Sequence, residues 1–231
     1  ENGILTTGGP VSLTIERSEF ARNSDNNAAG QTHNLYAGAI DKLTVTASYF
    51  HEARYGSNVK SRAKESILEN NYIMDGPSGP GSYLTDFSNG GKVYMRGNML
   101  HKGPRAPNGV AIQFGAEGKR WNDNTLELIN NTVVTTRGNT TFLRVAPWAT
   151  AVSVRSNILA STSGNDKLIS GSEFPLNQIS TSSNVTMTSN LIPGASNISN
   201  PNFWPNPEGA MKTSLLVALD LTYVLDAPKL Y

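Results

Sequence analysis

The chain has no cysteine among its 231 residues. That excludes a disulfide framework and any thiolate metal site. Charged residues make up only 16 % of it, and the formal net charge is +1. So near-neutral a balance gives no long-range attraction to nucleic acid or to an anionic membrane, and neither is expected as a partner. No apolar run approaches the roughly 18 residues of a membrane span. The opening "ENGILTTGGP" has no basic segment followed by an apolar one, so it does not read as a signal peptide. Glycine, asparagine, serine and threonine are plentiful instead. Turn formers mixed with β-branched residues point to many short strands rather than helices.

Those strands repeat. Seven segments share the pattern apolar, any, apolar, any, any, Asn or Ser, any, apolar: "LTIERSEF" (13–20), "LTVTASYF" (43–50), "SILENNYI" (66–73), "VYMRGNML" (93–100), "LELINNTV" (126–133), "VSVRSNIL" (152–159) and "VTMTSNLI" (185–192). Only Ser66 breaks the apolar rule at the first position, and successive segments begin 30, 23, 27, 33, 26 and 33 residues apart. Alternating apolar residues make a strand with one buried face. The sixth position, Ser18, Ser48, Asn71, Asn98, Asn131, Asn157 and Asn190, falls where the chain must turn. Asn and Ser suit a turn because their side chains bond nearby backbone and Asn tolerates left-handed geometry. One such unit cannot bury its own apolar face, so the units must stack, and stacked Asn residues can bond one another in a ladder. The pattern predicts an all-β, right-handed parallel β-helix of about seven coils. A β-sandwich with chance similarity is the competing reading.

The expected organisation is a β-helix over residues 1–200 and a capping extension over 201–231, where "SLLVALDLTYVL" covers the open core as a helix or a last strand. Because the first repeat lies so near the start, a further coil or cap is expected before it. "MDGPSGPGS", "HKGPRAPNG" and "GAEGKRWNDN" read as loops that project from one side of the stack.

Each repeated strand has another strand upstream: "HNLYAG" (33–38), "NVKSRA" (58–63), "SYLTDF" (82–87), "VAIQFG" (110–115) and "TFLRVA" (141–146). With Leu35, Val59, Leu84, Ile112 and Leu143 turned inward, alternation turns Tyr36, Lys60, Thr85, Gln113 and Arg144 outward. Arg62 shares the face with Lys60, and His33, Tyr83, Asp86 and Glu117 flank it near strand ends or loops. A strip of cations, phenols and amides suits an extended acidic polysaccharide, whose carboxylates need Arg or Lys.

The stretch "NVKSRAKESILENNYIMDGPSGPGSYLTDFSNGG" resembles the central region of the parallel β-helix polysaccharide lyases of the chondroitinase B and alginate lyase family. That family pairs Lys-Ser on one coil with Asn-x-Ile-x-x-Asn, and carries Leu-Thr-Leu-Arg-His-Gly on the next. The resemblance implies β-elimination from a uronate, with Lys60 as the lysine base and Ser61 as its neighbour. "YLTDFSNGG" keeps Leu84 and Thr85 but lacks the arginine and histidine. The family's calcium is held by acidic side chains just before the lysine. Here Tyr55, Gly56, Ser57, Asn58 and Val59 stand there, so no cofactor is expected. The whole chain also resembles the many bacterial proteins grouped as right-handed parallel β-helix proteins. These likenesses imply an exported protein, secreted or periplasmic, and a monomer.

β-Elimination needs the carboxylate neutralised, a base for the C5 proton and an acid for the departing oxygen. The residues for these roles are Lys60 as base, Arg62 as carboxylate clamp, and Tyr36 or His33 as acid. Arg144, Gln113, Tyr83, Asp86 and Glu117 are the candidates for binding substrate. Each has a plainer account. Lys60 and Arg62 serve as solvated strand charges, His33 as a turn cap, Tyr36 as packing, Asp86 as a turn residue before "SNGG", and Glu117 as a loop partner of Lys119 or Arg120. Asp86 and Glu117 are also the only candidates for the paired carboxylates of a glycoside hydrolase. A carbohydrate-binding β-helix without catalysis, or a structural or adhesin β-helix, is the alternative to the lyase.

Overall fold

The computed structural model describes residues 1–23, 30–161, 167–170 and 185–188. The strands follow one another coil by coil. The first coil holds β1 (Ile4–Leu5), β2 (Gly8–Glu16) and β3 (Glu19–Ala21), and the second β4 (Leu35–Ala37), β5 (Ala39–Thr46) and β6 (Tyr49–His51). The third holds β7 (Val59–Ser61), β8 (Glu65–Glu69) and β9 (Tyr72–Met74), and the fourth β10 (Thr85–Phe87), β11 (Lys92–Arg96) and β12 (Met99–Lys102). The fifth holds β13 (Val110–Phe114), β14 (Thr125–Ile129) and β15 (Thr132–Thr135), and the sixth β16 (Thr141–Val145), β17 (Ala151–Arg155) and β18 (Ile158–Ser161). Two strands of a seventh follow, β19 (Lys167–Ser170) and β20 (Val185–Thr188).

Every third strand pairs in parallel, which gives two seven-stranded sheets and one six-stranded sheet. Sheet A runs β1-β4-β7-β10-β13-β16-β19, sheet B β2-β5-β8-β11-β14-β17-β20, and sheet C β3-β6-β9-β12-β15-β18. This is the parallel β-helix that the repeat predicts. Among the described residues no helix is long and apolar enough to cross a membrane. The expected cap over 201–231 and the ladder position Asn190 lie outside the described residues.

The first six repeated segments form sheet B, its corner and sheet C, and Val185–Thr188 of the seventh adds a strand to sheet B. Their apolar positions make two rows in sheet B. Leu43, Val93, Leu126 and Val152 lie in one, and Val45, Leu68, Met95, Leu128 and Val154 in the other. All of these are buried in one continuous core with Phe50, Ile73, Leu100, Val133 and Leu159 of sheet C. Ser66, the exception in the first row, is buried too, and its hydroxyl meets that of Ser61 at 2.8 Å, across the turn from β7 to β8. Two small polar groups thus satisfy each other where one alone would be costly.

At the corner between sheets B and C the predicted ladder is present. Asn131 Oδ1 accepts from Asn98 N at 3.0 Å and Asn98 Nδ2 at 2.9 Å, while Asn131 Nδ2 donates to Asn157 Oδ1 at 3.0 Å and Met95 O at 2.8 Å. Asn71 is bound to Asn98 in the same way. The left-handed residue is not the ladder Asn but the one before it. Arg17, Ala47, Asn70, Gly97, Asn130 and Ser156 have φ of 46, 46, 55, 63, 54 and 56°. The ladder amide must point inward to bond its neighbours, so the preceding residue takes the sharp turn.

A second, shorter ladder lies at the corner between sheets C and A. Asn34 Oδ1 accepts from Asn23 Nδ2 at 3.0 Å, and Asn34 Nδ2 donates to Asn58 Oδ1 at 2.8 Å. Asn58 in turn donates to Asp75 Oδ1 at 3.3 Å. Asp75 Oδ2 faces Lys102 Nζ at 3.0 Å, and both side chains are fully buried. Burial pushes the Asp75 carboxyl up and the Lys102 amine down, each offset by the other's charge. This pair ties together the two segments that read from sequence as free loops.

Two predictions follow from the fold. Asn131→Ala removes an acceptor that serves two buried donors, at a cost of about 2–4 kcal/mol in urea unfolding. The second concerns pH. His101 is fully buried, bonded through Nε2 to Thr136 Oγ1 at 3.0 Å, and burial pushes its pKa down to about 4. A value lowered from 6.5 makes the unfolded chain the better proton acceptor. The stabilisation is therefore complete above about pH 6.5 and is lost as the pH falls toward about 4, on the order of 3 kcal/mol in all. Urea titrations across this range should show stability declining with acidity, and more shallowly in His101→Gln.

Candidate functional site

The outward row of sheet A is set by backbone register. Tyr36 pairs with Lys60, Lys60 with Asp86, Asp86 with Gln113, and Gln113 with Arg144. Four of the five residues expected on this face are therefore there. Thr85 is not: it lies in register with Val59 and Ile112 and is fully buried. Asp86 takes its place. The cause is Phe87, which stands beside Phe114 in register and is fully buried in the core, so alternation turns Asp86 outward and Thr85 in. Leu84, expected to fix the register, is buried one position earlier, before the strand begins.

At one end of the strip the expected catalytic residues converge. Lys60 Nζ donates to Glu117 Oε1 at 2.5 Å and lies 3.4 Å from Asp86 Oδ2. Arg62 Nε donates to Tyr36 Oη at 2.6 Å, Nη1 to Asn89 Oδ1 at 2.5 Å, and Nη2 to Glu117 Oε2. Both cations lie 5.7 Å from the centre of the Tyr36 ring. Lys60 and Asp86 are buried, at 6 % and 2 % exposure. Burial pushes the Asp86 carboxyl up against the pull of Lys60, and its Oδ1 has no hydrogen bond of ordinary geometry. For Glu117, burial pulls the pKa upward, but bonds and charges from Lys60 and Arg62 win and hold it below the usual range. Glu117 pairs with neither Lys119 nor Arg120, the loop partners expected for it. Its partners come from a coil stacked 57 and 55 residues earlier in the chain.

His33 is packed edge-on to Tyr36, with ring centres 5.4 Å apart. Its Nδ1 accepts the Ser57 backbone N–H at 2.9 Å, which leaves the proton on Nε2. Burial first, then Lys60, pushes its pKa down to about 3. The ring is therefore neutral at ordinary pH, and its Nδ1 is occupied by the Ser57 backbone.

The other end of the strip differs. Arg144 donates through Nε to Gln113 Oε1 and through Nη2 to Tyr83 Oη at 2.6 Å, with its guanidinium 5.7 Å from the Tyr83 ring centre. Both partners are neutral, and among the described residues Arg144 has no carboxylate partner within ion-pair distance. Gln113, Tyr83 and Arg144, read separately as binding candidates, thus form one group. Lys60 and Arg144 stand three coils apart, about 14 Å at ~4.8 Å per coil.

Sequence reading missed two members. Asn89, read only as part of a turn, bonds Arg62 and through Nδ2 also holds the Glu117 and Gly118 carbonyls at 3.0 Å each. It sits where Gly90 and Gly91, with φ of 75 and 94°, turn the chain from sheet A to sheet B. Trp121 Nε1 donates to Arg62 O at 3.1 Å and fastens the same loop. An Asn before paired glycines at the end of a strip strand was the available signal; nothing local marked Trp121.

The two carboxylates beside Lys60 are not free to take a calcium ion. Asp86 and Glu117, the carboxylates nearest Lys60, are both engaged by cations. Among the described residues no group of three or more His, Asp or Glu side chains is placed to hold a metal. In comparisons with family models, curated proteins and solved structures, the chain matched none.

The buried Lys60–Asp86 contact can be tested directly. Lys60→Met strands a buried carboxylate and should cost about 3–5 kcal/mol in urea unfolding. Adding Asp86→Asn should recover most of that loss, because the uncompensated charge is then gone.

Proposed function

We propose that the sheet A face binds an acidic, uronate-containing polysaccharide and cleaves it by β-elimination. The observation that carries this reading is the cluster of one phenol and two cations, Tyr36, Lys60 and Arg62, drawn from adjacent coils. Arg62 and Lys60 neutralise the sugar carboxylate, which acidifies the C5 proton. Lys60 Nζ donates to Glu117 in this arrangement, so the role of base assigned to it requires that bond to break. Tyr36 Oη, once it has passed its own proton to solvent and stands as a phenolate against the Arg62 guanidinium, is the better placed group to take the C5 proton and return it to the leaving oxygen. His33, neutral and bound through Nδ1, orients the Tyr36 ring. Arg144, with Gln113 and Tyr83, holds a carboxylate further along the chain of sugars.

The likeness of the Lys60-Ser61 stretch to the chondroitinase B and alginate lyase family supports the same chemistry, without its calcium. A polymeric glycan substrate goes with an exported, monomeric protein. Glycoside hydrolysis is the poorer fit. The Lys60 ammonium lies between Asp86 and Glu117, in the space a glycosidic bond would need. One observation favours binding without cleavage: Glu117 engages both cations at once.

A screen against alginate, pectate, glucuronan and chondroitin separates these readings. Elimination yields an unsaturated, ultraviolet-absorbing product. Tyr36→Phe should lower its rate by about 10²-fold or more while binding persists, and Arg144→Ala should weaken binding both in the parent and in Tyr36→Phe. Binding with no product in the parent chain leaves the non-catalytic reading; no binding to any acidic glycan removes both.

A further inference from the structure

Lys60 and Arg62 each hold one oxygen of the same carboxylate. Lys60 takes Glu117 Oε1 and Arg62 takes Oε2. Two cations on the two oxygens of one carboxylate are the recognition pattern a free carboxylate ligand would meet. Resting on the acidic-glycan reading, we infer that Glu117 fills the carboxylate position of the site from within the chain, and that a ligand enters by exchanging with it.

The arrangement is built for exchange. Side-chain exposure rises from 8 % at Lys60 to 26 % at Arg62 and 39 % at Glu117, so the carboxylate is the solvent-side member. The backbone beneath it is fixed. Glu117 N donates to Ser88 O at 2.8 Å, Asn89 Nδ2 holds the Glu117 and Gly118 carbonyls, and Arg120 N donates to Asn89 O at 3.3 Å. Release of the position therefore takes a side-chain rotation and no loop opening. Nor are the cations left bare, since Lys60 keeps Asp86 and Arg62 keeps Tyr36 and Asn89.

The consequence is an affinity threshold. A tethered carboxylate competes at an effective concentration in the millimolar range or above. A site open about one-tenth of the time binds about tenfold more weakly than its intrinsic affinity. A single acidic sugar bears that loss in full. A polymer that also reaches Arg144, three coils away and without a carboxylate partner among the described residues, offsets it through its second contact. Glu117 thus lowers both by the same factor, and only a chain that also reaches Arg144 keeps a useful affinity.

The test uses Glu117→Ala and Glu117→Gln beside the parent chain. The probes are acetate, glucuronate and an acidic oligosaccharide, at matched ionic strength, read by thermal shift and calorimetry. Acetate and glucuronate should raise the Tm of both variants at about one-tenth the concentration the parent needs, and the gain in affinity on removing the carboxylate should be about tenfold for glucuronate and for the oligosaccharide alike. Acetate binding to the variants, with no acidic saccharide binding to any protein, supports the exchange position and overturns the glycan reading. Variants that ignore acetate, or that bind the oligosaccharide more weakly than the parent, overturn the inference, since Glu117 would then be part of the binding surface.

Discussion

The in-register stacking of the coils is the constraint on which everything else rests. Tyr36, Lys60, Asp86, Gln113 and Arg144 belong to five coils and meet only because parallel hydrogen bonding holds each coil directly over the last. The Asn ladder enforces that register. The Oδ1 of Asn98, Asn131 and Asn157 each accepts from both the backbone N–H and the side-chain amide of the Asn one coil before it, so a slipped coil would strand several buried donors together. A one-residue slip in sheet A would also turn the polar row into the core. The short Asn34–Asn58 ladder and the buried Asp75–Lys102 pair brace the corner just before the sheet A strands.

On that frame the site is an exercise in compensated charge. Lys60 is almost buried, and its cost is met by one buried carboxylate and one half-exposed one. Asp86 gives permanent compensation because it is a strand residue packed under the strip. Glu117 gives compensation that can be withdrawn, because it hangs from a loop at the solvent side. The same strip ends in Arg144, whose partners are a phenol and an amide. A cation pair bound to carboxylates thus stands three coils from a cation whose partners, among the described residues, are neutral.

Much of this was legible in the chain because a strand repeat exposes its period. The apolar alternation located sheet B and its core rows, and the recurring Asn or Ser located the ladder. Ser66 broke the pattern, and the pattern did not show that Ser61 answers it across the turn from β7 to β8. The left-handed turn residue was displaced by one, since sequence shows that Asn tolerates the conformation but not that the amide is needed elsewhere. Thr85 and Asp86 exchanged places because the bulk of Phe87, two residues on, governs the register more strongly than Leu84. Glu117 was matched with its sequence neighbours Lys119 and Arg120, while stacking brought it to Lys60 and Arg62 instead. Local sequence cannot see a partner one or two coils away. The Asp75–Lys102 pair was hidden for the same reason, within stretches whose glycines and prolines read only as loops.

The most direct measurement is a crystal structure of the chain with a uronate oligosaccharide. The account predicts sugar rings lying across sheet A, one carboxylate against Lys60 and Arg62, another near Arg144, and the Glu117 side chain turned away. An oligosaccharide seated on sheet B or sheet C, with Glu117 still bridging both cations, would contradict it.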